Sequence, residues 1–90
     1  MYKVYVVLSS WEDLNTPFMS TFNKVVADFP QFEVKKLQPN QVEAFKSYYY
    51  VRSTPCFVIT DSNNQMRTKE SGVIREDHMR EIFNTVVNNG

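Results

Sequence analysis

The apolar pattern of this chain predicts an α/β domain: a four-stranded mixed sheet with helices on both faces, element order β-α-β-α-β-β-α and spatial order 2-1-3-4. Three observations lead there. Val4-Tyr5-Val6-Val7-Leu8 is a continuous apolar, β-branched run suited to a central strand covered on both sides. Two long stripes recur at three- and four-residue steps, one before residue 30 and one after residue 75. Between them, Cys56-Phe57-Val58-Ile59-Thr60, the polar turn Asp61-Ser62-Asn63-Asn64 and Gln65 to Glu70 read as a hairpin. Sequential strands joined by helices are expected to run parallel with right-handed crossovers, and the hairpin adds one antiparallel strand.

The elements follow in order. After the first strand, Leu14, Phe18, Phe22, Val25, Val26 and Phe29 share one helical face. Thr16 before Pro17 reads as an N-cap with proline in the first turn, and Pro30 stops the helix, so it is expected over 17–29. Phe32, Val34 and the stretch to Leu37 form a short second strand, and Lys35 and Lys36 mark it as an edge. Pro39 ends it. Asn40 with Glu43 three residues on resembles a capping box that opens a short helix burying Val42, Phe45 and Tyr49. In the last helix Met79, Ile82, Phe83, Val86 and Val87 form the buried stripe, while Arg75, Glu76, Asp77, Arg80 and Glu81 face water.

Ninety residues make one domain, 1–90, and at this size folding buries roughly 60–65% of the unfolded surface, enough for a single core. Ten basic residues balance ten acidic ones, which removes the attraction that nucleic acid or an anionic membrane needs. One cysteine closes no intrachain disulfide and runs no two-thiol cycle, and one histidine completes no metal site. No cofactor is implied. No segment approaches the roughly 18 apolar residues of a membrane span, and Met1 leads directly into a strand pattern, so a cytoplasmic location is expected, where a lone thiol stays reduced.

Three stretches carry a family resemblance. Val51-Arg52-Ser53-Thr54-Pro55-Cys56-Phe57-Val58-Ile59 resembles the segment in which thioredoxins place a cis-proline before a central strand. Gly72-Val73-Ile74-Arg75 looks like the glycine segment that faces that loop. Ser9-Ser10-Trp11-Glu12-Asp13-Leu14-Asn15, followed by the apolar stripe to Phe29-Pro30, looks like the tryptophan, Cys-Gly-Pro-Cys motif and long helix. The resemblance implies a compact thioredoxin-like domain, of glutaredoxin size or like phage-encoded relatives, without the extra N-terminal strand and helix.

The departures from that pattern concern the chemistry. Glu12 and Asn15 stand where the two cysteines would be, Asp13-Leu14 replace Gly-Pro, and Val6 takes the place of the buried acid that accepts a proton, although Lys36 keeps its neighbouring place. A register shifted by three residues puts Ser9 and Glu12 there and also lacks both thiols. Thiol–disulfide exchange needs a low-pKa nucleophile and a resolving thiol.

What the resemblance then implies is a binding face. It comprises Trp11, Glu12 and Asp13, the Thr54-Pro55 loop and Gly72-Val73, and it would receive an extended segment of a protein partner by strand addition; the alternative is that the Thr54-Pro55 turn is kept only because the fold requires it. Trp11 would be its aromatic anchor, or else a lid over the first helix. Glu12 and Asp13 complement the positive end of that helix, and no acid-base partner makes them a hydrolase. Cys56 is expected to pack as a small hydrophobe; the alternative is a single-thiol oxidoreductase or glutathione-dependent protein using Cys56. Tyr48-Tyr49-Tyr50 cannot all face the core, since neighbours on a helix point about 100° apart, and His78 is expected in solvent.

Overall fold

A computed structural model of the chain describes residues 2–8 and 17–89. Its elements are β1 (Tyr2–Val7), α1 (Pro17–Val26), β2 (Phe32–Lys36), a 3-10 turn (Pro39–Gln41), α2 (Val42–Tyr48), β3 (Cys56–Thr60), β4 (Met66–Ser71) and α3 (Glu76–Asn89). The four strands form one mixed sheet in the order β2-β1-β3-β4, as the sequence predicts.

Strand direction corrects one expectation. β1 and β2 are parallel, but β3 runs antiparallel to β1, with Val7 opposite Cys56 and Lys3 opposite Thr60. α2 is short, and the chain turns back directly after it at Tyr50, which holds φ 57°. Seven residues of helix span about 10 Å, whereas a return along the five residues of β3 takes about 16 Å. The chain therefore re-enters the sheet at the end where it left β2. The terminal hairpin is antiparallel, as expected.

Helix boundaries also shift. α1 ends at Val26 rather than Phe29, because its last turn tightens: the Asp28 amide donates to the Val25 carbonyl and the Phe29 amide to the Val26 carbonyl, both at 3.0 Å. Phe29 still reaches the core. The Thr16 cap lies outside the described residues. The start of the second helical segment falls before Asn40: Pro39 occupies the first helical position, and the Gln38 amide donates to Gln41 Oε1 at 2.9 Å.

Strand alternation then divides the apolar residues between two faces. On one face Val4, Phe57 and Ile59 meet Phe18, Phe22 and Val25 of α1 and Met79, Phe83 and Val86 of α3. Phe83 sits among four other rings, with its centroid 4.8 Å from Phe32, 5.4 Å from Phe29, 5.6 Å from Phe57 and 6.3 Å from Phe22. On the other face Val7, Cys56 and Val58, with Val51, form a smaller cluster covered by Val42, Phe45 and Tyr49 of α2. One residue predicted to face water does more: Arg80 bridges Asp28 at 2.6 Å and Glu76 at 3.1 Å, tying α3 to the turn after α1.

Candidate functional site

The site predicted around Thr54 is built by two neighbouring chain segments. The first begins at the end of α2. Tyr50 adopts the left-handed conformation at φ 57°, and the Val51 amide donates back to the Lys46 carbonyl at 2.8 Å, a Schellman-type stop. Lys69 of β4 reaches across and donates to the carbonyls of Tyr49 at 3.2 Å and Tyr50 at 2.8 Å. Its ammonium thus meets the negative end of α2. Val51 turns inward, Arg52 and Ser53 point to solvent, and the chain reaches Thr54-Pro55, joined by a cis peptide bond.

The second segment is the end of β4. Ser71 lies opposite Cys56, and one step beyond, the Gly72 amide donates to the Pro55 carbonyl at 2.7 Å. Gly72 has φ +90°, a conformation that L side chains rarely adopt, so glycine is needed for the chain to turn off the strand at this point. Val73 follows with 73% of its surface exposed. An open trough lined by Ser71, Val73, Ile74 and Arg75 runs on from there toward α3. The structure therefore brings Thr54, Pro55, Gly72 and Val73 together. Trp11, Glu12 and Asp13 lie outside the described residues.

Cys56 follows Pro55 in sequence but points away from this surface. It is completely buried, and its Sγ lies 3.6 Å from the Phe57 carbonyl. Burial pushes the thiol pKa up, opposed by the Ser71 hydrogen bond and the positive charge of Lys69 and reinforced by Glu70. A buried thiol held in its neutral form is a poor nucleophile. In β1, Val6 lies opposite Phe57 and packs against the core, an apolar group where the resemblance places a proton acceptor.

Elsewhere the chemistry is sparse. A cleft of about 250 Å³ between β4 and α3 is lined by Arg67, His78 and Glu81 among others, but Arg67 is engaged by Asp61, with Nε 3.2 Å from Oδ2. Among the described residues no group of three His, Cys, Asp or Glu side chains could hold a metal ion, and no helix is long and apolar enough to cross a membrane. Lys69 and Tyr50 are structural participants that sequence reasoning missed. Tyr50 carries no glycine signal for its left-handed turn, and Lys69 reaches its carbonyls from nearly twenty residues away.

The sheet order, helices α1 to α3 and the apposition of Gly72 with Pro55 define a thioredoxin-like fold. Solved structures agree. The germline-specific thioredoxin Deadhead of Drosophila melanogaster superposes with a TM-score of 0.74 at 20% identity, covering 93% of this chain and 79% of that one. Mitochondrial thioredoxin 3 of Saccharomyces cerevisiae, in its oxidised form, gives 0.74 at 14% identity over 93% and 77%. A malarial protein gives 0.72 at 13% identity over 96% of this chain and 97% of its own. No protein-family model and no curated protein sequence matches the chain. At these identities the likeness is one of fold.

Proposed function

We propose that this chain is a redox-inactive thioredoxin-fold protein that binds an extended segment of a protein partner on the face made by Thr54, Pro55, Gly72 and Val73, extended by Trp11, Glu12 and Asp13. The observation that carries this reading is the 2.7 Å bond from the Gly72 amide to the Pro55 carbonyl. It fixes two loops side by side and leaves the apolar Val73 in solvent beside them. The single cysteine supports the reading from the chemical side, since exchange through a mixed disulfide needs an accessible thiolate, and Cys56 is buried and neutral. Strand addition beside the proline would supply main-chain hydrogen bonds, and Val73 with Trp11 would supply the apolar contacts.

The test uses peptides selected from a random library against the immobilised protein, with amide chemical shifts recorded on titration. Shifts centred on residues 53–55 and 71–74, with affinity lost in Val73→Asp, are expected. Shifts centred elsewhere overturn the assigned face. Disulfide-reductase or glutathione-exchange activity that disappears in Cys56→Ala would replace the binding reading with the single-thiol enzyme.

A further inference from the structure

The two edges of the sheet differ in a way that concerns a second copy of the chain. Among the described residues, β2 and β4 each have a neighbour on one side only. In a parallel pair alternate residues of one strand bond to the two neighbours of the residue opposite them. Tyr2 lies opposite Phe32 and its amide donates to the Gln31 carbonyl at 3.0 Å, so β2 reaches β1 through Gln31, Glu33 and Lys35. Phe32, Val34 and Lys36 therefore direct their backbone groups to the open edge. The Phe32 amide is used locally, donating to the Phe29 carbonyl at 3.1 Å.

Side chains on β2 are arranged to match themselves in reverse. Glu33 and Lys35 flank Val34 on the α2 face, with their charged groups 3.4 Å apart, and Val34 is 43% exposed on the other face. An antiparallel copy centred on Val34 sets Glu33 opposite Lys35 of the second copy, twice, and Val34 against Val34. Those charged positions are the closely spaced, non-hydrogen-bonded ones. Centring one residue earlier sets Glu33 against Glu33, and one later sets Lys35 against Lys35. The register centred on Val34 is also the one in which outward backbone groups meet. Val34 bonds Val34 reciprocally, and the Lys36 amide of each copy reaches the Phe32 carbonyl of the other.

The β4 edge has no such register. Phe57 lies opposite Glu70 and Ile59 opposite Thr68, and Cys56 and Val58 of β3 are turned to β1, so Lys69 and Ser71 direct their backbone groups outward, while Arg67 falls in the irregularity between the Ile59–Thr68 and Thr60–Met66 pairs. Centring on Lys69 or Arg67 sets each against itself, centring on Thr68 sets Arg67 against Lys69, and centring on Glu70 sets Glu70 against itself. Like charges directly opposite are destabilising.

We propose that the chain forms a two-fold dimer by antiparallel pairing of β2 with β2 centred on Val34, giving one continuous eight-stranded sheet. The β4 edge and the Gly72-Val73 loops lie at the far ends of that sheet, so the dimer presents both Val73 surfaces outward.

Sedimentation of the full chain from about 10 μM to about 1 mM is expected to show a dimer that grows with concentration. Glu33→Lys and Lys35→Glu each set like charges across the axis and are expected to weaken dimerisation about tenfold or more. An equimolar mixture of these two variants sets opposite charges at both positions and restores the dimer. Val34→Pro removes an outward amide that an edge strand can spare. It is expected to stay monomeric with an unchanged circular dichroism spectrum, and if it does not fold the mixing experiment still decides. A wild-type chain monomeric at about 1 mM overturns the proposal, whether the edge is then bare or serves a strand of another protein. A dimer indifferent to both charge reversals, or one that persists in Val34→Pro, overturns it as well.

Discussion

The Gly72 amide donates to the Pro55 carbonyl at 2.7 Å while Gly72 itself holds φ +90°. A Cβ added there meets nothing within 4 Å among the described residues, so what selects glycine there is the backbone conformation. Gly72→Ala should therefore cost about 1–2 kcal/mol through the left-handed conformation alone. Gly72→Asn should cost less, because asparagine tolerates this region better. Chemical denaturation midpoints check the order, and an alanine variant as stable as wild type would show that the turn relaxes.

Tyr50 presents the converse case. It occupies the left-handed position after α2 at φ 57° with 72% of its surface exposed, so little packing is lost by removing the ring. Tyr50→Gly should stabilise the fold by about 1 kcal/mol, since glycine is the favoured residue at this helix stop. The Lys69 contact to the backbone carbonyl of residue 50 does not depend on the side chain. An increase in the urea midpoint is the expected result.

Thr60 is completely buried at the end of β3, and its Oγ1 has no hydrogen-bond partner among the described residues. Thr60→Val keeps the branched shape and removes the unsatisfied hydroxyl, which should raise stability by about 1 kcal/mol. Thermal and urea denaturation measure it. Destabilisation instead would point to a partner for the hydroxyl in solution.

Asp61 gives the hairpin a pH dependence of defined sign. Its Oδ1 accepts from the amides of Gln65 at 3.0 Å and Asn63 at 2.9 Å, and Arg67 lies against Oδ2. The Gln65 bond, helped by the Asn63 bond and Arg67, lowers the carboxyl pKa against the opposing effect of burial. The folded pKa is thus below the unfolded value of about 3.9. The stabilisation is fully present above that unfolded value and is lost as the pH falls through the folded one. Asp77 acts in the same direction through the His78 amide and Arg75. Asp61→Asn retains an acceptor for both amides and should show a smaller loss of stability between neutral pH and pH of about 3 than the wild-type chain. Denaturation midpoints at the two pH values provide the comparison.

Val4 to Leu8, the stripe from Phe18 to Phe29 and the stripe from Met79 to Val87 announced three elements and their buried faces, because a period of two or 3.6 residues translates directly into which side chains share a surface. Strand order followed from those faces. The direction of β3 did not, since it depends on how far the short α2 carries the chain and on a left-handed turn at a tyrosine. The meeting of Pro55 and Gly72 was legible only through resemblance, and the Lys69 clamp on Tyr49 and Tyr50 was not legible at all.

By itself the sequence determined a neutral α/β domain with a single thiol and no paired cysteines. Tertiary structure decided where that thiol lies and which strand edges stay open among the described residues. Alternation along β3 turns Cys56 into the core beneath α2, while the sheet order leaves β2 unpaired along one side among the described residues. Both outcomes depend on which strands become neighbours, and residues distant in sequence settle that only when they pack together.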